Sequence, residues 1–324
     1  MATGTPAVTI DRLPGEALRQ ADRSTGIWRD AFRRLRRQPV AFGAGILLVL
    51  LLLVAIFAPF VAPYHYATQN YDALTQPPSR EHWLGTDDLG RDILSRLIYG
   101  ARISLSVGLV VQTVILLIGV PAGLAAGFYG GKLDMFLMRL VDAFYSIPSL
   151  LFVIVIMTFL RASLQKANGG FAGFVADLDD TTGGLVGVFI GIGLINWMPA
   201  ARLVRSQAIA LKQKEFVEAA RGSGATNRRL ILQHILPNVV AVIVVTATIG
   251  IPQAIIYESG LSFLGLGVNP PMPSWGLMIA ESLKNLRSHP YQLISPAVVL
   301  SATVLAFNFL GDGLRDAFDP WMKR

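Results

Sequence analysis

The chain has 324 residues, of which 53% are apolar and 15% charged, with a mean hydropathy of +0.52 and a formal charge of +7. That is too apolar for an ordinary water-soluble domain of this length and points to an all-α membrane bundle. The absence of cysteine excludes disulfides and thiolate metal sites.

Residues 1–27, with Pro6, Gly15 and scattered charge, are expected to form a disordered cytoplasmic tail. Residues 28–101 hold a basic segment, the first membrane span and an outer loop, and residues 102–324 a core of five further spans. The cluster Arg33-Arg34-Leu35-Arg36-Arg37 suggests nucleic acid at first sight. Placed directly before an apolar run, however, it reads as a topology anchor touching anionic lipid. The run from Val40 to Tyr64 exceeds a signal-peptide core, so it is expected to stay as an anchor.

The outer segment then carries His82-Trp83-Leu84-Gly85-Thr86-Asp87-Asp88-Leu89-Gly90-Arg91-Asp92. From Ile93, apolar Leu94, Leu97, Ile98 and Ile103 oppose Arg96 and Arg102, a stripe suited to a helix lying in the outer interface; a solvated connector is the plain alternative. The second span, Ile103 to Gly131, has Gly119, Gly123, Gly127 and Gly131 at a spacing of four, which predicts one small-residue face for close helix packing. Arg139 and Asp142, at the start of the third span (Ala143 to Leu160), are expected to pair with each other. An acidic loop, Arg161 to Gly184, leads to the fourth span, Thr181 to Ala201.

Residues 202–237 form a polar loop. Its stretch Glu218-Ala219-Ala220-Arg221-Gly222-Ser223-Gly224 combines a compact helical face with two glycines expected to break it, and Leu236-Pro237 leads into the fifth span, Ile235 to Tyr257. Glu218, Ala219, Ala220, Gly222 and Gly224 are the candidate docking residues for a soluble partner. Glu258 ends the fifth span and has no role assignable from sequence. The uncharged stretch Ser259 to Ala280 carries Asn269-Pro270-Pro271-Met272-Pro273, so it is read as an outer loop able to dip back rather than a span. The sixth span is Pro290 to Gly311.

With both termini in the cytoplasm, inner segments hold twenty of the twenty-eight Lys and Arg residues and outer loops hold eight. The positive-inside rule favours this topology and puts the 202–237 loop in the cytoplasm. His65, His82, His234 and His289 lack metal-ligand spacing, and neither a metallopeptidase nor a hydrolase motif occurs. Gly131-Lys132 resembles the end of a phosphate loop, but Ala126 and Leu133 stand where that motif needs Gly and Ser or Thr. The sequence therefore points to no cofactor, no metal and no nucleic acid, and a motor for this bundle would sit on another chain.

Glu218-Ala219-Ala220, Gly224 and Leu236-Pro237 resemble the EAA loop of ABC importer permeases. Three further stretches are similar to the C-type permease of dipeptide, oligopeptide and nickel importers. They are Leu84-Gly85-Thr86-Asp87 with Gly90-Arg91-Asp92; Ser262 to Val268 followed by Pro270-Pro271 and Ser274-Trp275-Gly276; and Asn308, Gly311-Asp312, Leu314-Arg315-Asp316 and Asp319-Pro320. The resemblance runs from about Trp28 to the end and implies a type I importer fold with six spans in a bacterial or archaeal cell (inner) membrane. It implies a second homologous permease, ABC ATPase subunits and an extracytoplasmic binding protein as partners. In that picture Glu218 pairs with a basic residue of the ATPase, Ala219 and Ala220 allow close approach and Gly224 lets the chain turn. The cargo is a short peptide, or alternatively nickel or another small solute. The rival from another class, an ion-driven secondary transporter, calls for midplane acidic residues and inverted repeats, and only Asp142 is a candidate.

Overall fold

The computed structural model describes residues 27–166 and 169–318. The expected N-terminal tail before residue 27, Asn168, Asp319-Pro320, Lys323 and Arg324 lie outside the described residues. Among those described the protein is helical throughout, with one isolated antiparallel bridge between Thr86 and Asp92.

The helices are α1 (Ile27–Leu35), α2 (Pro39–Ile56), α3 (Ile93–Tyr129), α4 (Gly131–Tyr145), α5 (Ser149–Leu164), α6 (Gly170–Thr181), α7 (Leu185–Asn196) and α8 (Met198–Lys212). They continue with α9 (Glu215–Gly222), α10 (Leu236–Phe263), α11 (Trp275–Ser282) and α12 (Tyr291–Phe318). A turn of α-helix, Asn227–Arg229, and a π-helical turn, Leu230–Ile235, run directly into α10.

Four stretches are long and apolar enough to cross a membrane: Pro39–Ile56, Ile93–Tyr129, Asn227–Phe263 and Tyr291–Phe318. Two more spans result if the broken pairs α4 with α5, bent by 92°, and α6 with α7, bent by 111°, each count as one. The third expected span is therefore a bent pair. The fourth departs from its expected limits too: α7 starts after the Gly183-Gly184 turn, and α8 follows it across Trp197 and Pro199.

The interfacial helix expected from Ile93 is not separate. Asp92 caps α3 by accepting from the Ser95 N–H at 2.7 Å, and the helix then runs for 37 residues. At 1.5 Å per residue that is about 55 Å, against a hydrocarbon thickness of about 30 Å, so its first turns stand outside the bilayer. Ser95 and Arg96 there are buried by protein, while Arg102 stays exposed. Trp275 of α11 is fully buried there, donating its backbone N–H to Ser104 Oγ at 3.0 Å and its indole N–H to the Leu97 carbonyl at 3.1 Å. The Ser259 to Ala280 stretch does fold back, as the tail of α10, a loop and the start of α11.

The central packing is α3 against α8, α10 and α7, while α12 packs on α2 and α10. One apolar cluster joins α3, α5, α7 and α10, and a second joins α2, α3, α11 and α12. A third lies at the inner ends of α3, α8 and α10, where the polar 202–237 loop attaches.

Candidate functional site

The loop is held by the helices that lead into it. Lys212 ends α8 and donates to the Phe128 carbonyl at 2.5 Å, its ammonium 5.6 Å from the centre of the Phe128 ring. Phe128 lies in the last turn of α3, where unsatisfied carbonyls favour a cation. Lys214 is extended, and α9 begins with Glu215 and Glu218 in its first turn, the sign the helix dipole prefers there. Val217 is fully buried in the cluster of Leu124, Phe128, Val204, Leu230 and Ile235, with Ala220 and Ala225 half-buried against it. Burying a valine contributes about 1.5–3 kcal/mol, enough to tie this two-turn helix to the spans. The opposite face carries Glu218, Ala219, Arg221 and Gly222, all exposed. Among the described residues the Glu218 carboxylate has no hydrogen-bond or ion-pair partner.

A glycine turn closes α9. The Ala225 N–H donates to the Ala220 carbonyl at 3.1 Å and the Gly224 N–H to the Arg221 carbonyl at 3.0 Å. Gly224 has a φ of 84°, the left-handed position that this capping arrangement requires. Gly222, expected to share in the break, is the last helical residue and makes none of it. Thr226 then caps the next helix by accepting from the Arg229 N–H at 3.4 Å. That helix runs unbroken from Asn227 to Phe263, so the fifth span starts earlier than Ile235. Pro237 has no N–H to offer the preceding turn, and the π-helical turn of Leu230–Ile235 absorbs the irregularity.

Three of the four stripe glycines face α8 with no room for a side chain. A methyl at Gly119 would lie 2.8 Å from the Trp197 carbonyl oxygen, at Gly123 2.5 Å from that of Ala201, and at Gly127 2.6 Å from that of Arg205. These are backbone-to-backbone contacts, the use small residues serve in membrane helices. Gly131 takes no part. Helix α3 ends at Tyr129, and Gly131 opens α4 at a φ of 58° with nothing within 4 Å of the added carbon.

The sequence of the whole chain places this geometry in a family. The family described as "Binding-protein-dependent transport system inner membrane component" matches residues 119–324, and the "N-terminal TM domain of oligopeptide transport permease C" matches residues 26–78. The dipeptide transport system permease protein of Alkalihalophilus pseudofirmus is 42% identical over 296 residues, covering 91% of this chain and 90% of that one. The oligopeptide transport system permease protein of Bacillus subtilis is 40% identical over 310 residues, 96% of this chain and 95% of that one. The chain belongs to the ABC importer permease family of binding-protein-dependent transport systems. A glutathione transport system permease protein of Pectobacterium atrosepticum is 39% identical, covering 91% and 92% of the two chains. Among solved structures, an inward-facing MetNI methionine ABC transporter aligns with a TM-score of 0.54 and 20% identity over 69% of this chain and 97% of that one. That likeness supports the type I importer fold. The protein is a multi-pass membrane permease.

The ionic contacts of the permease depart from sequence expectation. Asp142 pairs with Arg202 of α8, at 2.5 Å, and not with Arg139. Four turns of α4 run beside the start of α8, where Asp134 likewise takes Arg205 at 2.5 Å. Partners from a packed neighbouring helix thus outcompete the neighbour three residues along the same helix.

On the outer side, Asp87 Oδ2 accepts from Arg91 Nε at 2.7 Å and from Arg96 Nη1 at 2.6 Å. Arg96 Nη2 reaches Glu281 Oε2 at 2.7 Å, and Asp92 accepts from His82 Nδ1 at 2.9 Å. The Gly-Thr-Asp…Gly-Arg-Asp stretch is therefore a knot that fixes the top of α3 to α11. Glu258 is also buried: its Oε1 accepts from Ser262 and Ser274, both at 2.7 Å, and its Oε2 has no partner among the described residues. It fastens α10 to the loop that returns to α11.

Proposed function

We propose that this permease is one of two homologous pathway subunits of an ATP-driven importer of short peptides in a bacterial or archaeal cell (inner) membrane. An extracytoplasmic binding protein delivers the peptide. Separate ATP-binding cassette subunits hydrolyse ATP and drive the bundle through α9; this chain contributes no nucleotide site. Residues 102–324 form the working core, and residues 28–101 anchor and cap it.

The observation that carries this reading is the split character of α9. Its inner side is rooted among the ends of α3, α8 and α10, and its outer side offers an unpartnered carboxylate flanked by small residues. A partner's cation would pair with Glu218 while Ala219 lets its surface come close, Ala220 being packed on the inner cluster instead, and Gly224 sets the angle of departure. A push on such a surface is transmitted, because the packed apolar cluster behind it does not deform freely.

The names of the relatives speak for peptide cargo over nickel or another small solute, glutathione being itself a tripeptide. The test is uptake of trialanine and of nickel by the complete transporter reconstituted in vesicles. ATP-dependent accumulation of trialanine without nickel is expected; accumulation of nickel alone would overturn the peptide reading.

A further inference from the structure

The spans border two adjoining cavities of about 300 and 530 Å3, which share Asn196, Pro199, Gln253 and Tyr257 and so form one continuous space. Among the described residues no Asp, Glu, Lys, Arg or His lines either chamber. Their polar groups are carboxamides and hydroxyls, and the carboxamides are underused. Gln112 is only 4% exposed, and its side chain makes no hydrogen bond among the described residues. It is not squeezed there by accident: Gly250 opposite leaves it room, since a methyl at that position would lie 2.1 Å from Gln112 Oε1. The Gln253 side chain is exposed to the same space and makes no hydrogen bond among the described residues either. Asn196 spends one donor on the Ile192 carbonyl at 2.8 Å, which leaves its Oδ1 open. At the far end the Tyr257 hydroxyl and Ser149 Oγ are 3.0 Å apart.

Buried polar groups in a membrane bundle are ordinarily satisfied by a neighbour, and those that are not await a partner. A primary carboxamide offers two donors and an acceptor with no net charge. The complementary group is another amide. We propose that Gln112, Asn196 and Gln253 form the wall of the translocation pathway that contacts the passenger peptide, through its backbone N–H and C=O groups. A neutral wall of this kind grips every residue of a peptide alike and does not trap cationic or anionic side chains, as a charged wall would. This inference rests on the peptide-import reading and adds the residues that touch the cargo.

Because the chain has no cysteine, a thiol introduced into it is the only one on this subunit and is read on the isolated permease band after labelling. The complete transporter is reconstituted with wild-type permease, with the double variant Gln112→Leu/Gln253→Leu, and with Gln253→Cys. Trialanine uptake by the double variant is expected to fall about tenfold, the effect of one net hydrogen bond lost in transit, with the assembled complex recovered at wild-type yield. In Gln253→Cys, a water-soluble thiosulfonate is expected to modify the thiol, more slowly during turnover with saturating trialanine. Undiminished uptake by the double variant overturns the proposal. So does loss of the complex together with an unreactive thiol, which would place these residues against the second permease. A wild-type transporter that moves no trialanine would instead overturn the peptide reading on which the proposal stands.

Discussion

Ala225 donates its N–H to the carbonyl of Ala220 at 3.1 Å, across a turn whose pivot, Gly224, stands at a φ of 84°. Nothing lies within 4 Å of a carbon added at Gly224, so a larger residue meets strain in the backbone and no collision. Gly224→Leu is expected to cost the turn about 1–2 kcal/mol and Gly224→Asn much less, because Asn tolerates the left-handed region. Gly222→Ala is expected to be neutral or to stabilise α9 by about 0.5–1 kcal/mol. Amide hydrogen exchange across residues 215–226 measures the order Gly222→Ala, Asn, Leu from most to least protected.

The contact of Gly123 with the Ala201 carbonyl predicts an opposite sensitivity. A methyl there meets backbone at 2.5 Å, which can yield only if α3 and α8 separate. Gly123→Val is expected to cost roughly 3 kcal/mol or more and to lower the folded yield in detergent. Gly43→Val on α2, where no atom lies within 4 Å, is expected to stay near wild type by the same assay.

Arg96 is 3% exposed and bridges Asp87 to Glu281, joining the start of α3 to the end of α11. Arg96→Met removes the shorter bridge between Asp87 and Glu281 and leaves Arg91, which reaches both carboxylates, as their remaining cation, an expected loss of about 3 kcal/mol. Asp87 also accepts from Arg91 Nε and from the Leu89 and Arg91 N–H groups, so the double variant Arg96→Met/Asp87→Leu is expected to be less stable than the single one. Thermal unfolding of the two purified variants makes the comparison.

Glu258 accepts two serine hydroxyls on one oxygen and faces no cation among the described residues. Gln offers the same acceptor, so Glu258→Gln is expected to keep stability within about 1.5 kcal/mol of wild type. Glu258→Ala orphans both hydroxyls and opens a void, with an expected loss of about 2–5 kcal/mol. Melting temperatures of the two variants decide whether the carboxyl serves as an acceptor or as a charge.

Much of this protein is legible in its sequence because a bilayer demands long uncharged runs, and those runs located the helices that became α2, α3, α10 and α12. The glycine spacing in α3 was equally plain, since close helix approach leaves so few residue types to choose from. The bends of 92° and 111° were not legible, because hydropathy measures length and polarity but not direction. Nor was the fate of Ile93 to Ile103: its alternating face looked amphipathic, yet Arg96 is buried by Glu281, 185 positions away. Asp142 was assigned the nearest arginine in sequence, and the packed helix α8 supplied Arg202. Gln112, Asn196 and Gln253 hid inside apolar runs, and only a cavity drawn from three helices shows that they face one another. The polar 202–237 loop was the easiest to find, being a polar island between two spans.

The central claim is that ATP hydrolysis on other subunits reaches the pathway through the exposed face of α9. Glu218→Lys reverses the charge offered there without touching Val217 or the cluster behind it. In reconstituted vesicles the account predicts a variant that assembles at wild-type yield but accumulates trialanine at least about tenfold more slowly, the loss expected when a like charge replaces an interfacial partner. The number of peptides moved per ATP hydrolysed is the quantity to measure, and it should fall. A Glu218→Lys transporter with wild-type uptake and an unchanged ratio would contradict the account.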